Sequence, residues 1–214
     1  MNHIEVLSGL YSAVVADVLD SMGYRNQVLG HSIRALTPGK FVCGRVFTAK
    51  ATKVNSMPEE PYKLEMQAID TMQAGDVFVV DAEYETSNGF WGELLSTACL
   101  AKGVRGVVMT GCCRDMWALD KMDFPVFGIG TNPADSMGRA DVIHIKQAIE
   151  IDGVQINTGD YILGDADGVV VIPVAVADET LRLASEKVAG ENTVREELRA
   201  GVPVAEVFKK HGIL

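Results

Sequence analysis

Apolar residues recur along the chain with two different periods, which predict helices alternating with buried strands. Spacing of three to four residues, typical of amphipathic helices, covers four long segments and a short last one. The long segments are 12–22, 62–72, 94–102 and 175–199. Short uninterrupted apolar runs, typical of strands buried on both faces, occupy 77–81, 107–110 and 122–130. Ser12 is expected to cap the first long helix.

Alternating apolar and polar residues mark the remaining strands. Residues 41–54 predict one strand or a pair. Residues 142–156 predict an antiparallel hairpin turning at Asp152-Gly153, and a further turn at Asp167-Gly168 divides 161–173. Helices and buried strands thus alternate in the middle of the chain, and hairpins follow them. We therefore expect an α/β fold with a mixed sheet instead of a doubly wound one.

Length and composition limit the classes of protein to which this chain can belong. The 214 residues suit one large domain or one domain with helical additions, and 48% apolar residues allow a substantial core. No run of about 18 apolar residues occurs, so we expect no membrane span. Glu5 and Asp17 interrupt the N-terminal segment where a signal peptide would be apolar, so a cytoplasmic location is expected. The four cysteines lack metal-site spacing and are expected to be buried thiols.

Charge argues against nucleic acid as a partner. The net charge is −10, and the longest basic cluster is Lys209-Lys210-His211. Nucleic-acid binding relies on clustered Lys and Arg, so it is not expected. An anionic substrate would need positive charge placed locally in its site. The chain contains no GxxxxGK[ST] and no GxGxxG after a strand, so nucleotide cofactors have no support.

Candidate chemistry lies in residues 92–115, GELLSTACLAKGVRGVVMTGCCRD. A helix that starts near Glu93 would offer free amides to a carboxylate or phosphate. Arg114-Asp115 follows the strand 107–110, so all three side chains can share one rim of a sheet. Carboxylates there suit a hard cation such as Mg²⁺, and Arg114 suits a carboxylate or an enolate oxygen. On spacing alone, a helix-capping Glu93 with a surface Arg-Asp pair is the simpler explanation.

The same stretch resembles the signature of the RraA-like family. This family includes 4-hydroxy-4-methyl-2-oxoglutarate aldolases, oxaloacetate decarboxylases and the regulator of ribonuclease activity A. Its lyases carry an acid, twenty intervening residues and then Arg-Asp, which is the spacing of Glu93 and Arg114-Asp115. The likeness extends to four further segments: SAVVADVLDSMG (12–23), QAGDVFVVD (73–81), MDFPVF (122–127) and GDADGVVVIP (164–173).

The resemblance implies a fold as well. It implies a single RraA-like domain over residues 1–214, with a mixed-sheet, swivelling-domain-like β/β/α core. Additional helices would lie at both termini, including a C-terminal helical extension over about 175–214. It also implies a homotrimer or a dimer of trimers, with active sites at subunit interfaces.

The resemblance further implies a divalent-metal site. Asp115 would ligate Mg²⁺, with Mn²⁺ or Co²⁺ possible, largely through a hydrated shell. Glu93 would hydrogen-bond to water on the metal, and Glu191 of a neighbouring subunit would complete the site. The aldolases carry Asp where this chain has Glu93. The extra methylene could move the carboxylate by about 1 Å, and such a displacement can cost about 10²-fold in rate.

Substrate contacts and activity follow from the same resemblance. Arg114 would contact a small 2-oxo acid and stabilise its charge, and the backbone at Gly92, Leu94 and Leu95 would hold its carboxylate. The implied activity is that of a class II aldolase, which cleaves a carbon–carbon bond through a pyruvate enolate and also decarboxylates oxaloacetate. The alternative is a non-catalytic, protein-binding regulator that needs no metal.

Overall fold

The computed structural model describes residues 2–212. The helices are α1 His3–Leu7, α2 Ser12–Ser21, α3 Lys63–Thr71, α4 Glu93–Ala101, α5 Met116–Leu119, α6 Ala177–Arg199 and α7 Val204–His211, with a 3-10 turn at Val174–Val176. The strands are β1 Arg34–Ala35, β2 Val42–Lys53, β3 Asp76–Asp81, β4 Gly89–Trp91, β5 Val107–Met109, β6 Cys112–Cys113, β7 Val126–Gly128, β8 Gly130–Thr131, β9 Ala140–Ile145, β10 Ile149–Ile151, β11 Val154–Ile156, β12 Tyr161–Gly164 and β13 Val169–Ile172.

The main sheet is mixed, as the sequence predicts. Its strand order is β1-β7-β5-β3-β2-β12-β13, and β9 also pairs with β2. The strands β2, β3, β5 and β7 run parallel, whereas β1, β9, β12 and β13 pair antiparallel with their neighbours. The central parallel strands read as continuous apolar runs because both of their faces are covered. The expected mixed α/β class with helices at both termini is confirmed.

The strand β2 pairs with three other strands of this sheet. One of its edges pairs with β3, and its other edge is shared by β12 and then β9. The register with β9 shifts between Lys50 and Ala51, where the strand bulges. The segment 41–54 is therefore one long strand, not a pair.

One local prediction was right only in part, and another was wrong. The antiparallel hairpin that turns at Asp152-Gly153 is confirmed for β10 and β11, but it does not include β9, which pairs with β2. Period-two alternation identifies a half-buried strand but does not specify its partner. Ser12 is not the helix cap: Tyr11 holds that position, and the amide and hydroxyl of Ser12 both donate to the Asp165 carboxylate at 2.7 Å. A distant carboxylate therefore caps α2.

The core covers both faces of the sheet. One face packs against helices in two apolar clusters, one that joins the sheet to α3, α4 and α5 and another that joins α1, α2 and α6 to β12 and β13. The opposite face, which carries Val46 and Val77, packs against the β10-β11 hairpin. That residues 1–214 form one domain stays a prediction, and Met1, Ile213 and Leu214 lie outside the described residues. Within 2–212, every helix is too short or too polar to cross a membrane.

Candidate active site

A small parallel sheet, β4-β6-β8, brings the two halves of the sequence motif together. Gly89 pairs with Cys112, and Trp91 pairs with Cys113. The carboxyl ends of parallel neighbours lie on the same side of a sheet, so the residues after β4 and β6 meet. The amide of Arg114 donates to the carbonyl of Trp91 at 2.8 Å and fixes this junction. Arg114 and Asp115 therefore meet the start of α4 at the edge of this small sheet, and not at the end of the strand 107–110.

Asp115 lies at the N-terminus of α4. Its Oδ2 accepts a hydrogen bond from the amide of Glu93 at 3.2 Å. Gly92 permits this approach, because a Cβ at that position would lie 2.6 Å from the same oxygen. Asp115 adopts the left-handed conformation at φ 61°, which Asp tolerates better than most residues. The amides of Leu94 and Leu95 have no carbonyl partner within the helix, since they belong to its first turn.

The side chain of Glu93 points elsewhere. Its Oε1 accepts a hydrogen bond from the hydroxyl of Thr97 at 2.9 Å, one turn along α4. Glu93 contributes its backbone amide to the site, whereas its carboxylate does not line the adjacent pocket. Its predicted contact with water on a metal remains a prediction.

Arg114 lies between two carboxylates. Its Nε is 3.7 Å from Oδ2 of Asp115, and its Nη1 is 3.4 Å from Oδ1 of Asp135. Tyr62 donates its hydroxyl to the same Oδ1 of Asp135 at 2.8 Å. Burial opposes ionisation of Asp135, but the Tyr62 hydrogen bond and the Arg114 charge outweigh it, so the pKa of Asp135 is lowered. Burial and then Asp135 raise the pKa of Tyr62 to about 12.

These groups line a pocket of about 240 Å³, which is large enough for a small organic acid. Its polar members other than glycines are Tyr62, Glu65, Arg114, Asp115, Asp135 and Ser136, and its apolar members are Met66, Phe90, Leu94 and Leu95. Gly92, Leu94, Leu95, Arg114 and Asp115, all predicted from the sequence, lie together here. Glu93 is not among the lining residues, and its backbone amide contacts the pocket residue Asp115.

Glu191 lies away from this pocket within the same chain. It is in α6, where its carboxylate accepts a hydrogen bond from the hydroxyl of Tyr11 and lies 3.9 Å from Arg195. A role in a site of another subunit therefore remains a prediction.

Sequence reasoning missed the α3 side of the pocket and Asp135. A signal for Glu65 exists, because Glu65, Ala68, Ile69 and Met72 recur at the spacing of one buried helix face. Asp135 gives no such signal. Its segment reaches the pocket through long-range backbone contacts, in which the amide of Gly89 donates to the carbonyl of Ala134 at 2.7 Å.

The carboxylates of the pocket suit a hydrated divalent metal ion. Among residues 2–212, no three His, Cys, Asp or Glu side chains converge into a ready-made metal cluster. Mg²⁺ needs fewer protein ligands, because it binds through one or two carboxylates and keeps several waters. The Asp115 carboxylate is about one-third exposed and faces the pocket, so it fits such a hydrated ion.

Similarity to known proteins shows the family to which this chain belongs. The sequence model of the RraA-like family, described as Aldolase/RraA, matches residues 12–171. The chain belongs to the RraA-like family. Its matched region contains every candidate site residue except Glu191.

Relatives in the RraA-like family carry different names. A Halalkalibacterium halodurans protein, provisionally named 4-hydroxy-4-methyl-2-oxoglutarate aldolase, is 30% identical over 83% of this chain and 79% of its own length. DlpA of Legionella pneumophila is 29% identical over 80% of this chain, which spans only 28% of that longer protein. The crystal structure of Streptomyces coelicolor RraAS2, described as an unusual member of the RNase ES inhibitor RraA family, superposes with a TM-score of 0.81 at 27% identity, covering 91% of this chain and 96% of that one.

Proposed function

We propose that this RraA-like protein is a divalent-metal-dependent lyase that cleaves a carbon–carbon bond of a 2-oxo acid through a pyruvate enolate. One observation carries the proposal: Arg114 and Asp115 line a pocket at the N-terminus of α4. The relatives named as aldolases support the reaction class. The proposed activity is like that of 4-hydroxy-4-methyl-2-oxoglutarate aldolase, with oxaloacetate decarboxylation at the same site.

The chain's own groups suit the pyruvyl end of the substrate. The free amides of Leu94 and Leu95 would hold its carboxylate, helped by the positive end of the helix dipole. Arg114 would stabilise the enolate oxygen as the bond breaks. Its distances of 3.4 and 3.7 Å to Asp135 and Asp115 are longer than those of tight ion pairs, so Arg114 can turn toward a substrate.

Asp115 would hold the metal. Mg²⁺, or Mn²⁺ or Co²⁺ in its place, would supply positive charge next to the enolate oxygen when bound. Retro-aldol cleavage and oxaloacetate decarboxylation produce the same pyruvate enolate, so one site serves both reactions. Water would return the proton to the enolate carbon, because no histidine occurs among the lining residues of the described pocket.

We also propose that the site is completed by a second copy of the chain. Leu94 is 76% exposed beside the pocket, and Trp117 is 74% exposed on the helix that follows Asp115. Large apolar side chains exposed near one site are typical of a surface covered by a partner. A homotrimer or a dimer of trimers would supply that cover and would bring Glu191 of a neighbouring subunit to the metal.

Pyruvate release tests the proposed function directly. Oxaloacetate and 4-hydroxy-4-methyl-2-oxoglutarate would be assayed with Mg²⁺, with EDTA, and with Asp115→Ala. The control is Asp120→Ala, at the exposed residue that follows α5. We expect turnover that needs metal, is lost in Asp115→Ala and persists in Asp120→Ala. Turnover no higher than that of metal ions alone, for these and other 2-oxo acids, would contradict the lyase and favour a protein-binding regulator.

A further inference from the structure

Glu65 lies in the pocket wall, where one of its carboxyl oxygens has no partner among residues 2–212. It lies in the first turn of α3, on the buried face that also carries Ala68 and Ile69. Its side chain is 3% exposed, and within the described chain its Oε1 has no hydrogen-bond partner. Tyr62, Glu65 and Met66 together form what we call the α3 wall of the pocket. Glu65 thus lines the pocket and keeps one buried carboxyl oxygen unpaired, a combination that favours a contact with a ligand after a small rotation of the side chain.

The surroundings of Glu65 disfavour negative charge. Burial is the main cause, and the charges of Asp141 in β9 and of Asp135 add to it, so the pKa of Glu65 rises to about 8. The other titratable or charged groups near it or across the pocket are Tyr62, Cys99, Arg114 and Asp115. Glu65 is therefore uncharged at neutral pH, and it can donate a hydrogen bond.

The same surroundings act on a substrate. A substrate carboxylate lying against the α3 wall would meet the burial and the negative charges that keep Glu65 protonated. Arg114 is the only cationic side chain among the described lining residues, and the pyruvyl end of the substrate requires it. Within one chain, the described α3 wall thus carries no positive charge with which to bind a second carboxylate.

We propose that Glu65 and the α3 wall select 2-oxo acids that carry a single carboxylate, with an uncharged, hydroxyl-bearing or apolar group at the far end. This inference rests on the proposed lyase function and specifies its substrate class. The unpaired carboxyl of Glu65 would donate a hydrogen bond to an uncharged oxygen of that far end.

Two substrates that both release pyruvate test the charge selection. 4-Hydroxy-2-oxopentanoate has an uncharged chain, whereas 4-hydroxy-4-methyl-2-oxoglutarate has a second carboxylate. At pH 7 we expect kcat/KM for the former to exceed that for the latter by at least about tenfold. Equal kcat/KM values, or a higher value for 4-hydroxy-4-methyl-2-oxoglutarate, would overturn this inference but would not contradict the proposed lyase function. Release of pyruvate from neither would overturn the lyase itself.

The pH dependence of that selectivity tests Glu65. The ratio of the two kcat/KM values cancels pH effects common to both substrates. From pH 7 to 9 we expect the ratio to rise several-fold in the wild type, because ionised Glu65 repels the second carboxylate further. Glu65→Gln should keep the pH 7 ratio and remove the rise, whereas the exposed control Glu59→Gln should follow the wild type. A ratio that is flat in the wild type, or that still rises in Glu65→Gln, would show that another group sets the selectivity.

Discussion

The amide of Glu93 donates a hydrogen bond to Oδ2 of Asp115 over 3.2 Å, although the two residues are 22 positions apart. One carboxylate thus caps α4 and faces the pocket at the same time. The structural and the chemical roles of Asp115 depend on different properties of its side chain. Capping requires only an oxygen acceptor, whereas binding a cation requires negative charge.

Substitution of Asp115 separates these roles. Asp115→Asn keeps an acceptor for the Glu93 amide, so its free energy of unfolding should stay close to the wild type. Asp115→Ala removes the cap and should lower that free energy by about 1 kcal/mol. Both variants should lose metal-dependent pyruvate release. Urea denaturation and the coupled assay measure the two effects, and substantial activity in Asp115→Asn would contradict the proposed metal role.

Gly92→Ala should impair the site by steric displacement alone. The backbone of Gly92 is extended at φ −155°, so alanine causes no backbone strain there. Its new Cβ would lie 2.6 Å from Oδ2 of Asp115 and must push the carboxylate aside. A displacement of this order can lower kcat/KM by about 10²-fold.

The control for this substitution is Gly130→Ala in β8. A Cβ at Gly130 meets its nearest atom, Sγ of Cys112, at an ordinary 3.6 Å. This variant should retain wild-type kinetics. Equal activity of Gly92→Ala and Gly130→Ala would show that the position of Asp115 does not limit the reaction.

Glu65 should make the protein less stable as the pH rises from 5 to 8. Its pKa is about 8 in the folded chain against an ordinary 4.5, so the folded state holds a proton that the unfolded state has released. The free energy of unfolding should therefore fall across this range, with a contribution from Glu65 approaching about 1.4 kcal/mol per pH unit. This contribution is fully present below pH 4.5 and is lost by about pH 8.

Chemical denaturation at several pH values measures this slope. Glu65→Gln cannot ionise, so its stability should depend less on pH by the same amount. Glu59→Gln, an exposed position just before α3, should keep the wild-type slope. Parallel slopes for the wild type and Glu65→Gln would mean that Glu65 titrates normally.

Hybrid oligomers test the proposed role of Glu191. Asp115→Ala and Glu191→Ala chains should each be inactive alone. If the two residues come from neighbouring subunits, co-expression in equal amounts should rebuild about a quarter of the sites, because half of the chains supply each intact residue. Pyruvate release by the purified hybrid measures this. The exposed Glu196→Ala is the control, and no recovery in the hybrid would place Glu191 outside the shared site.

Local patterns predicted the elements of this fold well. The apolar runs at β3 and β5 and the helical spacing of α3, α4 and α6 appear where the sequence places them. The strand with which each strand pairs could not be predicted in the same way. The alternation of β9 resembles half of a hairpin, yet its partner is β2, about ninety residues earlier in the chain. Pairing of this kind is decided by the whole sheet, not by neighbouring residues.

The candidate site, too, could be predicted from local patterns only in part. The motif predicted that Arg114 and Asp115 lie close to the start of α4, whereas the pairing of β4 with β6 that joins them was not predicted. Glu65 and Asp135 approach from a helix face and from an irregular segment, where residue spacing carries no information about the pocket. Sequence patterns thus indicated the pyruvyl end of the proposed site and missed the α3 wall.

The shared edge of β2 has a consequence for synthesis of the chain on the ribosome. The partners of this edge, β9 and β12, end at Ile145 and Gly164, far behind β2 in the order of translation. A nascent chain must therefore carry β2 with one edge unpaired until these strands emerge, and unpaired edges are sites of aggregation. Slower or cooler expression should favour the folded protein, because the edge of β2 is protected only after three-quarters of the chain has been made.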